Sequence, residues 1–337
     1  MKASRLLVAA LRDPASVSAL NAEAWTALLT AARAERLLGT LAHRLDARTV
    51  PPPVARILAD ARAGAAEERR AALWEAEMAR RALAPLDIPV VVLKGTAFVA
   101  AGLDAGQGRS IGDLDILVPR ESLGETERAL RAAGWEWVKE DAYDDSYYRR
   151  WMHELPPLIH RDRDRMIDVH HTILPPTARP TPDAAALLAD AVPLGNGLSI
   201  LSPEDMIVHA AAHLFADGDL SGGLRNLWDI DRLLREFDGE GFWTRLRQRA
   251  VRQELLPAVE RAARQAHELY GTPIPESWRV WNSGDPLYRR RLLARDGWGR
   301  QGYAFTRLGF YVRSHWLRMP PSMLARHLWT KAMRKPA

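Results

Sequence analysis

Three aspartates are the residues best placed to do chemistry. Asp113 and Asp115 stand two apart in the apolar run from Ile111 to Val118. Side chains alternate faces along a strand, so these two carboxylates point the same way while Leu114, Ile116 and Val118 point to the other face. Two carboxylates on one face repel unless a cation lies between them. Asp168, flanked by Ile167 and Val169 in another strand-like run, can pair alongside, and three converging carboxylates make a hard-oxygen site suited to Mg²⁺. Upstream, the β-branched run Ile88 to Leu93 ends at Lys94-Gly95-Thr96. Backbone N–H groups of such a glycine turn at a helix start, with the Lys94 ammonium and the Thr96 hydroxyl, can hold phosphate oxygens. Phosphate turn, carboxylate pair and distant third carboxylate together describe metal-assisted nucleotidyl transfer, in which Mg²⁺ bridges triphosphate oxygens during in-line displacement at the α-phosphorus.

The elements that must position these groups are read from periodicity. Residues 1 to 85 carry apolar side chains at helical spacing, with Pro51-Pro52-Pro53 as a break between two helical stretches. Ile88 to Leu93 predicts a strand, Thr96 to Leu103 a short helix, Ile111 to Val118 a second strand, Glu121 to Ala133 a helix capped at Gly134, and Trp135 to Val138 a third strand. Residues 140 to 152, dense in Tyr, Asp and Arg, predict a surface loop at a substrate edge. Leu158 to His160 and Met166 to His170 predict the two arms of a hairpin. Ser202 as N-cap with Pro203 behind it starts a helix through 204–216, followed by helices over 224–236, 242–270 and much of 286–334. The fold class expected is α+β. It comprises an N-terminal helical segment (1–85), a small mixed-sheet core (86–175), a C-terminal helical domain (176–280) and a basic helical tail (281–337).

Composition narrows the classes. The 337 residues, 47% hydrophobic and 26% charged, suit a globular protein with a sizeable core and exclude disordered and collagen-like classes. With no cysteine there is no disulfide, thiolate metal site or cysteine nucleophile. The apolar run at Leu6 to Leu11 is too short for a signal-peptide core, and Val90 to Leu103 falls well short of the ~20 residues that span a bilayer; a cytoplasmic protein without a transmembrane segment is expected. Only 5 of the 47 basic residues are lysines, a usage typical of GC-rich bacterial genomes, which singles out Lys94 inside its apolar run. The net charge of +5 divides unevenly. From Arg279 onward 13 basic residues face 2 acidic ones, while the rest of the chain is net acidic. Such a tail suits an anionic partner.

The segment Val90 to Val118, with its Leu-Lys-Gly-Thr turn and Arg-Ser-Ile-Gly-Asp-Leu-Asp run, followed by Met166-Ile167-Asp168-Val169-His170, resembles the uncharacterised bacterial nucleotidyltransferase family within the DNA polymerase beta-type superfamily. The flanking helices resemble that family in layout too. Departures are Thr96 where many superfamily enzymes have serine, and a longer gap between Thr96 and Asp113. The resemblance implies that Asp113 and Asp115 bind two Mg²⁺ and the triphosphate. It implies that Asp168 completes the metal shell and acts as base toward an acceptor hydroxyl, and that Lys94, Gly95, Thr96 and Arg109 contact phosphates. His170, on the Asp168 face of its strand, would stand behind the metal ligands. The substrates implied are an NTP, ATP foremost, and an unidentified small-molecule, peptide or protein acceptor. A rival reading is a non-catalytic nucleotide- or polyanion-binding module that uses the basic tail.

Other motifs read more plainly. His209 and His213 have the i, i+4 spacing of metal ligands, with Asp229 and Asp231 downstream, yet lack the companion residues of zinc-protease or HD-phosphohydrolase patterns. Hydrogen-bonded histidines lining a cleft are expected there, and Trp228 and Trp243 are expected in the core. The basic face of the tail, with Tyr311, Trp316 and Trp329 among its arginines, is expected to pack on the body.

Overall fold

The computed structural model describes residues 2–139 and 142–318, of which 142–144 by backbone alone. Helices Lys2–Arg12, Ala22–Ala34, Leu38–Arg44 and Pro52–Leu83 fill the N-terminal segment. The proline run does more than break the chain. Pro52 and Pro53 form the first turn of the long helix, where a missing N–H leaves no bond unmade.

Seven strands form one mixed sheet: β1 (Val91–Val92), β2 (Asp113–Leu117), β3 (Trp135–Trp137), β4 (Leu158–His160), β5 (Met166–His170), β6 (Val192–Pro193) and β7 (Ser199–Ile200), in the order β3-β4-β5-β2-β1-β7-β6. The α+β class expected from the sequence is the one found. β2 and β5 run parallel, and their register sets Asp115 opposite Asp168. β1 is shorter than the run from Ile88 suggested, since Pro89 has no N–H to give a ladder; Leu93 still donates to the Asp115 carbonyl at 2.9 Å. The β6–β7 hairpin was not anticipated, because two-residue strands are too short to show a period.

Residues 142–151 are helical rather than loop. Arg149 explains the difference: it pairs at i, i+4 with Asp145 at 2.7 Å and reaches Glu127 at 2.8 Å, so the polar density serves a docked helix face. The helix expected over 242–270 is two, Phe242–Arg252 and Leu256–Tyr270. Glu254 takes a left-handed φ of 57° at the break, and buried Gln253 accepts from the Asp183 N–H at 2.7 Å. Ser202 caps its helix as expected, accepting from the Asp205 N–H. After Ala211, however, the α-helix widens into a π-helical stretch, Ala212–Asp217.

Helices and sheet share one continuous apolar core running from Ala3 to Phe310. Trp228 is buried in it and Trp243 packs against it. In the described part of the tail some of the charge turns inward, Arg291 pairing with Asp219 and Arg295 with Glu35, while Arg289 meets Glu268 at the surface. What faces outward on the helix Ala304–Arg318 includes Phe305, Leu308, Val312 and Trp316. The remaining tail residues, with Trp329, lie outside the described residues. No described helix is long and apolar enough to cross a membrane.

Candidate active site

Lys94 turns the chain from β1 into the short helix Lys94–Ala100 with a left-handed φ of 49°, a conformation that costs a non-glycine residue about 1–3 kcal/mol. Its ammonium lies 2.5 Å from Asp115 Oδ1. The same oxygen is 3.0 Å from His170 Nε2. Burial alone would raise the Asp115 carboxyl, but Lys94 and His170 outweigh it and hold the group far below the usual carboxylate range. Asp115 is therefore ionised, and His170 donates through Nε2–H. Lys94 shows the reciprocal effect: burial works against its charge, Asp115 prevails, and its pKa is raised.

Asp113 is exposed at the start of β2, Asp115 is buried, and Asp168 is half-buried on β5. One carboxylate oxygen from each lies within 4.8 Å of the others. Asp168 is pushed up to about 7, by burial first and then by the charges of Asp115 and Glu154. Three crowded carboxylates, one retaining its proton near neutrality, are short of positive charge. The all-oxygen donor set fits a hard divalent cation.

A cavity of about 450 Å³ opens beside this cluster. Lys94, Gly95, Arg109, Asp113 and Asp115 line it together with residues from the helical segments on both sides. Arg109 reaches Asp229 at 3.0 Å, and Arg225 bonds that same Asp229 and, at 2.6 Å, the Thr40 hydroxyl. The buried network thus ties the N-terminal helices, the loop before β2 and the helix Gly223–Phe237 into one wall. Gly95 is required there: a Cβ would lie 2.4 Å from Arg109 Nη1. Glu35, on the same wall, accepts from the Leu224 N–H and from Arg295 at 2.6 Å, capping a helix whose own Gly222 has no side chain to offer.

Of the residues singled out by sequence, Lys94, Gly95, Arg109, Asp113, Asp115, Asp168 and His170 are brought together. Thr96 is not. Its hydroxyl is buried without a partner and away from the cavity lining. His209 and His213 do line the cavity, but neither ring has a hydrogen-bond partner among the described residues, unlike the bonded histidines expected. His213 is exposed where it lines the cavity. Desolvation by the side chains around it, then the Lys94 charge, lower it below the usual imidazole value. Burial likewise lowers His209 well below the usual imidazole value. Sequence reading missed His153 and Glu154, which the structure places against His170, and Arg225, which pairs at i, i+4 with Asp229; the contact of Asp229 with Arg109 forms only through the tertiary fold.

Mixed sheet, aspartate pair and third aspartate in register define the layout of a nucleotidyltransferase. The family model described as an uncharacterised nucleotidyltransferase matches residues 21–271, and the chain belongs to that family. The match takes in the helices on both sides of the sheet as well as the aspartates. A search of curated proteins gave no match.

Proposed function

We propose that the protein moves a nucleoside monophosphate from an Mg²⁺-bound NTP, ATP foremost, to a hydroxyl or phosphate acceptor. The observation that carries this reading is the convergence of Asp113, Asp115 and Asp168 beside a cavity that Lys94 and Arg109 also line. An acceptor oxygen forms its bond to the α-phosphorus as the bond to the β-phosphate oxygen breaks, and pyrophosphate leaves. Mg²⁺ held by the three aspartates would neutralise charge on the triphosphate and on the oxygens of the displacement. Asp168, beside the other two carboxylates, would take the acceptor proton. Lys94 holds Asp115 in place and puts a cation at the cavity wall. Arg109, fixed by Asp229 against Gly95, presents a guanidinium whose direction does not drift. The compartment proposed is the cytoplasm.

The test is pyrophosphate release from each common ribonucleoside triphosphate, with Mg²⁺ or with EDTA, following an α-phosphate label onto co-purified acceptor or onto the protein. Release that needs Mg²⁺ and vanishes in Asp113→Ala is expected. Equal nucleotide binding by wild type and Asp113→Ala without release, together with salt-sensitive RNA binding lost on truncation after Ser277, would replace this reading with the polyanion-binding one.

A further inference from the structure

On the far side of Asp115 from the cavity a second set of donors comes together. The segment at 153–155 runs along the end of β5: Leu155 N–H donates to the Val169 carbonyl and His171 N–H to the His153 carbonyl, each at 2.9 Å, and Glu154 bridges His170. This pairing sets the rings of His153 and His170 5.1 Å apart with a 33° tilt. Glu154 Oε2 then lies 3.5 Å from His170 Nε2 and 3.7 Å from His153 Nε2. One donor atom from each of the three residues lies within 4.8 Å of the others. Around a tetrahedral ion with bonds of about 2.0–2.1 Å, neighbouring ligand atoms stand about 3.3 Å apart. Both measured edges are a few tenths of an ångström from closing on one.

The other nitrogen of each ring is enclosed. His170 is 1% exposed, and its Nδ1 has no hydrogen-bond partner; His153 Nδ1 is buried with none either. A buried histidine kept for packing has its ring nitrogens satisfied. Those are not the nitrogens turned to the carboxylate: it is the Nε2 of each ring that meets Glu154 Oε2, so a ring with its proton on Nδ1 presents its lone pair at Nε2 toward Glu154. Lys94 is the neighbouring cation, and the carboxylates of Glu154 and Asp115 offset it.

We propose that His153, Glu154 and His170 bind a transition-metal dication of the zinc class, at a site distinct from the aspartate triad and joined to it through Asp115. Two imidazoles and one carboxylate favour such ions over Mg²⁺, which prefers an all-oxygen set. The fourth position falls to water or to Asp115 Oδ1, and binding replaces the His170 Nε2–H bond to that oxygen by the ion, with the ring proton moved to Nδ1. Occupancy of this site would fix the orientation of Asp115 from behind.

The site is read from metal content, so it stands or falls apart from nucleotidyl transfer. Full-length protein is stripped with chelator and equilibrated with Zn²⁺, or with Co²⁺ as a spectroscopic probe, under excess Mg²⁺. Bound metal is then counted by mass spectrometry, with circular dichroism to confirm folding. One equivalent is expected in wild type and in Asp113→Ala, with the visible bands of Co²⁺ in a nitrogen–oxygen site. Loss of that equivalent is expected in His153→Ala and in the isosteric Glu154→Gln. No bound metal in wild type overturns the proposal, as does an equivalent retained in both variants. Loss in Asp113→Ala with retention in His153→Ala would place the metal on the aspartates instead, and equally overturns it.

Discussion

Asp168→Asn should stabilise the metal-free protein, by an amount that grows as pH rises from about 4 to about 7. The carboxyl is held at about 7 by burial and by Asp115 and Glu154, against an ordinary value of 3.8. Below about pH 4 the group is protonated in both folded and unfolded chains and contributes nothing. Between about pH 4 and pH 7 the unfolded chain releases the proton while the folded chain keeps it, so stability falls as pH rises. Above pH 7 the full penalty of an ionised Asp168 is present. A shift of about three units at about 1.4 kcal/mol each sets a ceiling near 4 kcal/mol, and relaxation around a half-buried group brings the expected gain on substitution to about 2 kcal/mol. The assay is urea denaturation of wild type and variant in EDTA at pH 5 and at pH 8. The variant should be more stable at pH 8, and the difference should shrink to about two-fifths of that value at pH 5. Added Mg²⁺ should then raise the wild type at pH 8 and leave the variant nearly unmoved. A variant less stable than wild type at pH 8, or a difference that ignores pH, would refute the account of a site short of positive charge.

The two aspartates of β2 should separate under the same assay. Asp115→Asn strands the mostly buried Lys94 ammonium and is expected to cost about 3–5 kcal/mol, whereas Asp113→Asn, at an exposed position, should change stability by about 0.5 kcal/mol or less while still abolishing transfer. Gly95→Ala drives a methyl into the Arg109 guanidinium that Asp229 pins in place. A loss of about 1–3 kcal/mol is expected, together with weaker nucleotide binding in a titration calorimeter.

The aspartate triad was legible because its two signals are local. Alternation along a strand sets Asp113 and Asp115 on one face, and a matching run around Asp168 offers a partner strand; the register Asp115 opposite Asp168 then follows from pairing. The Gly95 turn was legible for the same reason, though its glycine answers to Arg109 as much as to any ligand. Glu154 and His153 were hidden because Glu154 meets β5 through an isolated bridge and the segment has no period of its own. Asp229 was noted only as a carboxylate downstream of the His209–His213 pair, and its partner Arg109 is 120 residues away. The helix at 142–151 was misread because the residues that dock it, Arg149 and Glu127, reveal their purpose only once both helices are in place.

The cavity wall draws on Glu35 and on Arg295, 260 residues further along the chain, which meet at 2.6 Å. During synthesis, which adds residues from the N-terminus, the aspartates are made early and the wall is complete only when residue 295 has emerged. The chain therefore acquires its carboxylates well before the residue that closes the chamber beside them.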